Sequence, residues 1–132
     1  SSDILSLHVP VMDETENLID RKALAAMKPG AVLINTSRGE LVDEEALAAA
    51  LESGHLGGAG LDAFSPEPPA PGPLWSMEQV VLTPHVGGNT LEAALRTALR
   101  SARNAVAILT GNPGEADSIA NPEVLKRTEE DR

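Results

Sequence analysis

The chain has 132 residues, 10 Lys and Arg against 20 Asp and Glu, and a net charge of −10. That length carries one domain with a core of its own, and that charge excludes a nucleic-acid backbone as partner, which needs clustered Lys and Arg. No cysteine is present, so disulfides, catalytic thiols and thiolate metal sites drop out, which fits a reducing cytoplasm, and no apolar run is long enough for a membrane.

Ile4 to Val9 reads as a strand and stops at Pro10, which cannot donate to a sheet ladder. Acidic turn residues Asp13, Glu14 and Glu16 follow, and Asp20 then caps a short helix from Arg21 to Met27, ended by Lys28-Pro29-Gly30. Ala31 to Ile34 is an apolar run of buried-strand length. It gives way to Asn35-Thr36-Ser37-Arg38-Gly39. Asp43 caps a helix over 44–53, with Glu44 and Glu45 in its first turn and Ala46, Leu47, Ala50 and Leu51 at helical spacing. After Gly54, the run Gly57 to Phe64 predicts a third strand whose small residues imply close approach of neighbouring backbone. Ser65 to Pro73 holds five prolines and reads as a rigid extended loop. A helical turn near Leu74 to Met77 leads into a fourth strand, Val80 to Leu82, and the loop Thr83-Pro84-His85-Val86-Gly87-Gly88-Asn89.

Thr90 caps the longest helix, roughly 91–109. Leu91, Ala94, Leu95, Ala98, Ala102, Ala105, Val106 and Leu109 form its apolar stripe, opposite a solvated face of Arg96, Arg100 and Arg103. Gly111-Asn112-Pro113-Gly114 ends it, and the remainder reads as a polar, poorly ordered tail. The alternation predicts an α/β fold: a partial parallel sheet of about four strands, flanking helices and a long C-terminal helix. Residues 1–110 form the folded part and 111–132 the tail.

Three polar residues stand in loops after successive strands: Arg38, Glu67 and His85. Loops that follow parallel strands share one edge of the sheet, so the three can converge. Arg offers a fork of donors to a carboxylate. A His titrating near neutrality can give or take a proton, and an adjacent Glu holds its ring. The set suits interconversion of an alcohol and a carbonyl beside a carboxylate. Each residue alone has a plainer reading, a loop arginine, a solvated acid or a turn histidine. The flanks tip the balance: Gly87-Gly88 permits close backbone approach to a ligand, and the prolines hold Glu67 rigidly.

Asn35-Thr-Ser-Arg38-Gly-Glu-Leu-Val-Asp-Glu-Glu-Ala-Leu47, Gly58-Ala-Gly-Leu-Asp62-Ala-Phe-Ser-Pro-Glu67-Pro68 and Thr83-Pro-His85-Val-Gly-Gly88 resemble the D-isomer-specific 2-hydroxyacid dehydrogenases. Leu7-His8-Val9-Pro10, Asn17-Leu18-Ile19 and Asn121-Pro122-Glu123-Val124 fit as well. The resemblance covers nearly the whole chain, in order. It implies a catalytic set in which Arg38 binds the substrate carboxylate and carbonyl oxygen, His85 is the general acid/base and Glu67 pairs with it. A small 2-hydroxy or 2-oxo acid exchanges hydride with NAD, NADP remaining open. His8, Val9, Pro10, Thr36, Ser37, Arg38, Asp62, His85, Gly87 and Gly88 would line the cofactor, Asp62 on the nicotinamide side. His8 reads equally as a strand-end histidine. Met12 departs from the family's small hydroxyl residue there, and His55 reads as surface. A phosphoglycerate-dehydrogenase-like or hydroxypyruvate/glyoxylate-reductase-like member is implied, homodimeric when complete and cytoplasmic, with no nucleic-acid or membrane partner.

The resemblance begins midway through a nucleotide-binding domain. A dinucleotide fingerprint needs a strand, a glycine turn and a helix N-terminus for the pyrophosphate. The one formal match, Gly58-Ala-Gly60-Leu-Asp-Ala63, follows a helix and runs into a strand and proline loop, so it does not qualify. Asn35-Thr36-Ser37 matches a glycosylation sequon, but a ligand-facing turn explains it better. Two expectations follow: the first strand lies at an open edge, and this polypeptide alone holds NAD weakly. The rival reading is a non-catalytic remnant that serves interaction or oligomerisation; the intact Arg38, Glu67 and His85 set argues against it. A self-sufficient small ligand-binding domain is a third, disfavoured by the missing edge partner.

Overall fold

The computed structural model describes residues 2–112 together with 119 and 120. Two units are distinguished, Ser1–Gly88 and Asn89–Arg132. The first contains β1 (Ile4–Leu7), α1 (Arg21–Ala26), β2 (Val32–Asn35), α2 (Glu44–Glu52), β3 (Gly58–Leu61) and β4 (Val80–Leu82). Single 3-10 turns at Gly39–Leu41 and Pro73–Ser76 lead into α2 and β4. The four strands are parallel in the order β1-β2-β3-β4, as the alternation predicted. Among the described residues β1 lies at one edge, paired with β2.

Register decides which side chains enter the core. Leu5, Leu33, Ala59 and Val80 are aligned across the sheet, and so are Leu7, Asn35, Leu61 and Leu82. Successive strand residues face opposite ways, so these two rows share one face. That face packs with Leu24 of α1 and Ala46, Leu47, Ala48 and Leu51 of α2 into the buried cluster. On the other face Ile4 is 64% and Val81 65% exposed. Parallel sheets normally bury both faces. The small residues of β3 reflect close approach as expected, since a Cβ at Gly58 would lie 2.9 Å from the Gln79 carbonyl oxygen.

Both helices start at the expected caps, the side chains of Asp20 and Asp43 accepting from the N–H groups of Ala23 and Ala46. The first strand ends two residues earlier than the sequence suggested, leaving His8 and Val9 in the loop, and the second is shifted by one, so Asn35 belongs to it. His55 is a correction. It is half-buried, and its Nε2 lies 3.1 Å from the Leu24 carbonyl oxygen, tying α1 to the turn after α2.

The second unit is described by α3 (Leu91–Leu109), whose bounds match the periodicity. Thr90 caps its start through the Ala93 N–H, and Gly111, at φ +73, ends it in the left-handed region. No residue of α3 is buried. Of the tail expected over 111–132, residues 113–118 and 121–132 lie outside the described residues, and Asn121 to Val124 with them.

Leu47 is fully buried between α2 and the sheet. Leu47→Ala should cost about 2–5 kcal/mol of folding free energy, measured as a lower midpoint in urea denaturation. A loss below about 1 kcal/mol would mean that this face is not the core.

Candidate active site

All four strands point their carboxyl ends the same way, so the loops after β2, β3 and β4 meet at one edge. The loop after β2 carries Arg38 and then Gly39. A Cβ on Gly39 would lie 2.0 Å from the Phe64 carbonyl carbon, so only glycine lets this loop touch the backbone that follows β3. That contact sets Arg38 beside the loop bearing Glu67. The Ser65–Pro66 and Glu67–Pro68 bonds of the proline loop are cis.

Glu67 turns back on its own loop: its Oε1 accepts the Phe64 N–H at 3.0 Å. Both its carboxylate oxygens lie 2.9 Å from Nδ1 of His85. A ring nitrogen facing a carboxylate is the one that donates, so Nδ1 carries a proton and Nε2 is left for other work. The bond from His85, then the Phe64 N–H and the nearby charges of His85 and Arg38, hold the Glu67 carboxyl below its ordinary value. The two side chains are 43% and 39% exposed, so the pair orients a ring and adds little to stability. On one flank the pair borders a cavity of about 620 Å³ whose wall includes Phe64, Pro68, Trp75 and Leu82.

His85 is fixed by its loop. It adopts φ +54, a conformation that costs a non-glycine residue about 1–2 kcal/mol. The loop is tied to Asp62, just past β3 and 4% exposed. Asp62 Oδ1 accepts the Thr83 hydroxyl at 2.5 Å and the Val86 N–H at 2.9 Å, and Oδ2 accepts the Gly87 N–H at 2.8 Å. The Thr83 hydroxyl above all, then the two backbone donors and the charge of His85, hold the Asp62 carboxyl below its usual range against the opposing effect of burial.

The remaining expected residues lie at the same edge. Ser37 donates to the Leu7 carbonyl at 2.8 Å, joining the ends of β1 and β2. His8 Nε2 lies 2.8 Å from the Ser6 hydroxyl, Thr36, Val9 and Pro10 are exposed, and Thr15 donates to the Pro10 carbonyl. A Cβ at Gly88 would meet nothing within 4 Å. A surface of loop ends and open backbone, with a His and an Arg beside it, fits the nicotinamide half of a dinucleotide. The sequence reading missed Asn35 and Thr83 as working parts. Asn35 could have been found: it alternates with Leu33, so it faces the core, where a polar side chain needs a reason.

Residues 1–87 match the family model for the D-isomer specific 2-hydroxyacid dehydrogenase, NAD binding domain. The chain belongs to this family. It is 48% identical over 126 residues to glyoxylate reductase of Thermofilum pendens, covering 95% of this chain and 37% of that protein. It is 47% identical over 110 residues to D-3-phosphoglycerate dehydrogenase of Mycobacterium leprae, covering 83% of this chain and 21% of that protein. D-lactate dehydrogenase with NAD+ from Lactobacillus jensenii superposes with a TM-score of 0.78 at 36% identity, over 83% of this chain and 37% of that one. The chain therefore spans well under half the length of these relatives.

The lowered carboxyl values of Asp62 and Glu67 set a direction for acid stability. A carboxylate whose folded value is depressed stabilises the fold above its ordinary value, about pH 4, and that stability is lost as pH falls through the folded value. Glu44 acts in the opposite sense, since burial raises its carboxyl and its protonation favours the fold. Urea midpoints followed from about pH 7 to pH 3 should therefore fall below about pH 4, and Asp62→Asn should flatten that fall. An unchanged acid limb in the variant would refute the assignment to Asp62.

Proposed function

We propose that this chain is the part of an NAD-dependent D-2-hydroxyacid dehydrogenase that carries its proton-transfer and carboxylate-binding groups. The observation that carries the reading is the Glu67–His85 pair at 2.9 Å, with Nε2 left free to act, beside a loop-end arginine. A bound nicotinamide cofactor supplies the hydride acceptor for a 2-hydroxy acid, or the donor for a 2-oxo acid. Arg38 holds the substrate carboxylate and polarises the C2 oxygen. His85 Nε2 takes the hydroxyl proton on oxidation and returns one to the carbonyl oxygen on reduction. Glu67 keeps the ring in the required tautomer.

His8, Val9, Pro10, Thr36, Ser37, Gly87 and Gly88 line the cofactor in this reading, with Asp62 on the nicotinamide side; the open edge around Gly88 supports it. Relatives named glyoxylate reductase and D-3-phosphoglycerate dehydrogenase support a short substrate. Residues 1–110 act as the second half of the nucleotide domain with its returning helix, in a complete enzyme that is homodimeric and cytoplasmic. Among the described residues no helix is long and apolar enough to cross a membrane.

The test fuses this chain to the preceding segment of the Thermofilum pendens glyoxylate reductase and follows NADH oxidation with glyoxylate. Turnover is expected in the fusion, with the free chain binding NADH weakly. His85→Ala should lower kcat by about 10²–10⁴-fold. A fusion that folds and binds NADH without turnover, or an unaffected His85→Ala variant, would overturn the reading.

A further inference from the structure

Among the described residues two polar side chains are buried, Asn35 at 1% and Asp62 at 4% exposure. They are neighbours at the carboxyl edge of the sheet, the Asp62 N–H donating to the Asn35 main-chain carbonyl at 2.9 Å. Each holds a different loop. Asn35 Nδ2 donates to the Arg38 carbonyl at 2.7 Å, and its Oδ1 accepts the Ser37 N–H at 3.0 Å. Asp62 accepts from Thr83, Val86 and Gly87, the donors on either side of His85.

The residue types match these needs. The loop after β2 offers one carbonyl and one N–H, which only an amide satisfies in both directions. The loop after β4 offers donors alone, and they occupy both oxygens of the carboxylate. An amide at 62 would set its NH₂ against an N–H, and a carboxylate at 35 would set an oxygen against the Arg38 carbonyl. A buried carboxylate is costly unless donors surround it, so Asp at this position needs a reason.

We propose that Asn35 and Asp62, the latter through Thr83, are paired positioning residues that hold Arg38 and His85 in fixed relation across adjacent strands. Their side-chain hydrogen bonds go to loop backbone and to the Thr83 hydroxyl, not to the Arg38 guanidinium or the His85 ring. Their linkage through one backbone hydrogen bond means that the arginine loop and the histidine loop are set by a single rigid piece of sheet edge. Gly87 belongs to the same device, because a Cβ there would lie 2.9 Å from Asp62 Oδ2. The proposal rests on the reading of Arg38, Glu67 and His85 as the working groups, but its test reads geometry rather than turnover, so the two can fail separately.

The experiment is NMR on the full 132-residue chain, with Thr83→Val, Thr83→Ser, Asp62→Asn and Asn35→Asp. Thr83 is exposed, so its variants should fold even where a change at the buried positions does not. In Thr83→Val, hydrogen exchange of the Val86 and Gly87 amides should quicken about tenfold. The Glu67 carboxyl, faced by His85 and Arg38, should titrate closer to its ordinary value as the ring loosens. Thr83→Ser keeps the hydroxyl and should restore both. Asp62→Asn, where it folds, should exceed Thr83→Val in both measures, and Asn35→Asp should quicken the Ser37 amide instead. Folded Thr83→Val with unchanged loop exchange and Glu67 titration would overturn the proposal. So would uniform quickening of the core amides without rescue by Thr83→Ser, the mark of a merely structural residue.

Discussion

The polarity of the sheet is the constraint on which the rest depends. Four parallel strands deliver every following loop to one edge, so residues far apart in sequence meet there without any long-range design beyond the register. Arg38, Glu67 and His85 are separated by 29 and 18 positions in the chain, yet each lies within a few residues of a strand end. What the register cannot do is fix their distances to fractions of an ångström. That is left to close contacts between loops: Gly39 against the backbone of Phe64, and the His85 loop against Asp62.

Stability and site geometry draw on different interactions. The leucines of one sheet face and two short helices supply the burial, at roughly 25 cal/mol per Å² of apolar surface removed from water. The ion pair of the site is too exposed to add much. Asn35 and Asp62 stand between these two classes. Asn35 sits at the top of the core face, in line with Leu7 and Leu33, and Asp62 directly follows Leu61; both use buried polar atoms to connect packed strands to exposed loops. The left-handed turn at His85 is held against its intrinsic cost by that connection.

Much of this was legible from the amino acids. Caps announce themselves chemically, so Asp20, Asp43 and Thr90 were readable, as was the full length of α3 from its period. The convergence of Arg38, Glu67 and His85 followed from strand polarity alone. Strand ends were less legible, because a β-branched residue such as Val9 extends an apolar pattern past the last ladder bond. The 3-10 turn at Gly39–Leu41 depends on a backbone contact with Phe64 that no local signal reports. His55 was misjudged for the same reason: its partner, the Leu24 carbonyl, is 31 positions away.

The described helix starts bear on how a dinucleotide's phosphates would be met. A pyrophosphate is held by free N–H groups at a helix N-terminus. In the first unit Asp20 and Asp43 each engage one such group and place carboxylates on the starts of α1 and α2, and Glu44 and Glu45 add more negative charge to the latter. The glycines that formally echo a phosphate-binding turn, Gly58 and Gly60, lie inside β3 with their backbone in the ladder. An anionic diphosphate meets acids at both helix starts. The proposed carboxylate clamp and proton-transfer group thus sit at the sheet edge, and the starts of α1 and α2 offer a diphosphate acidic side chains.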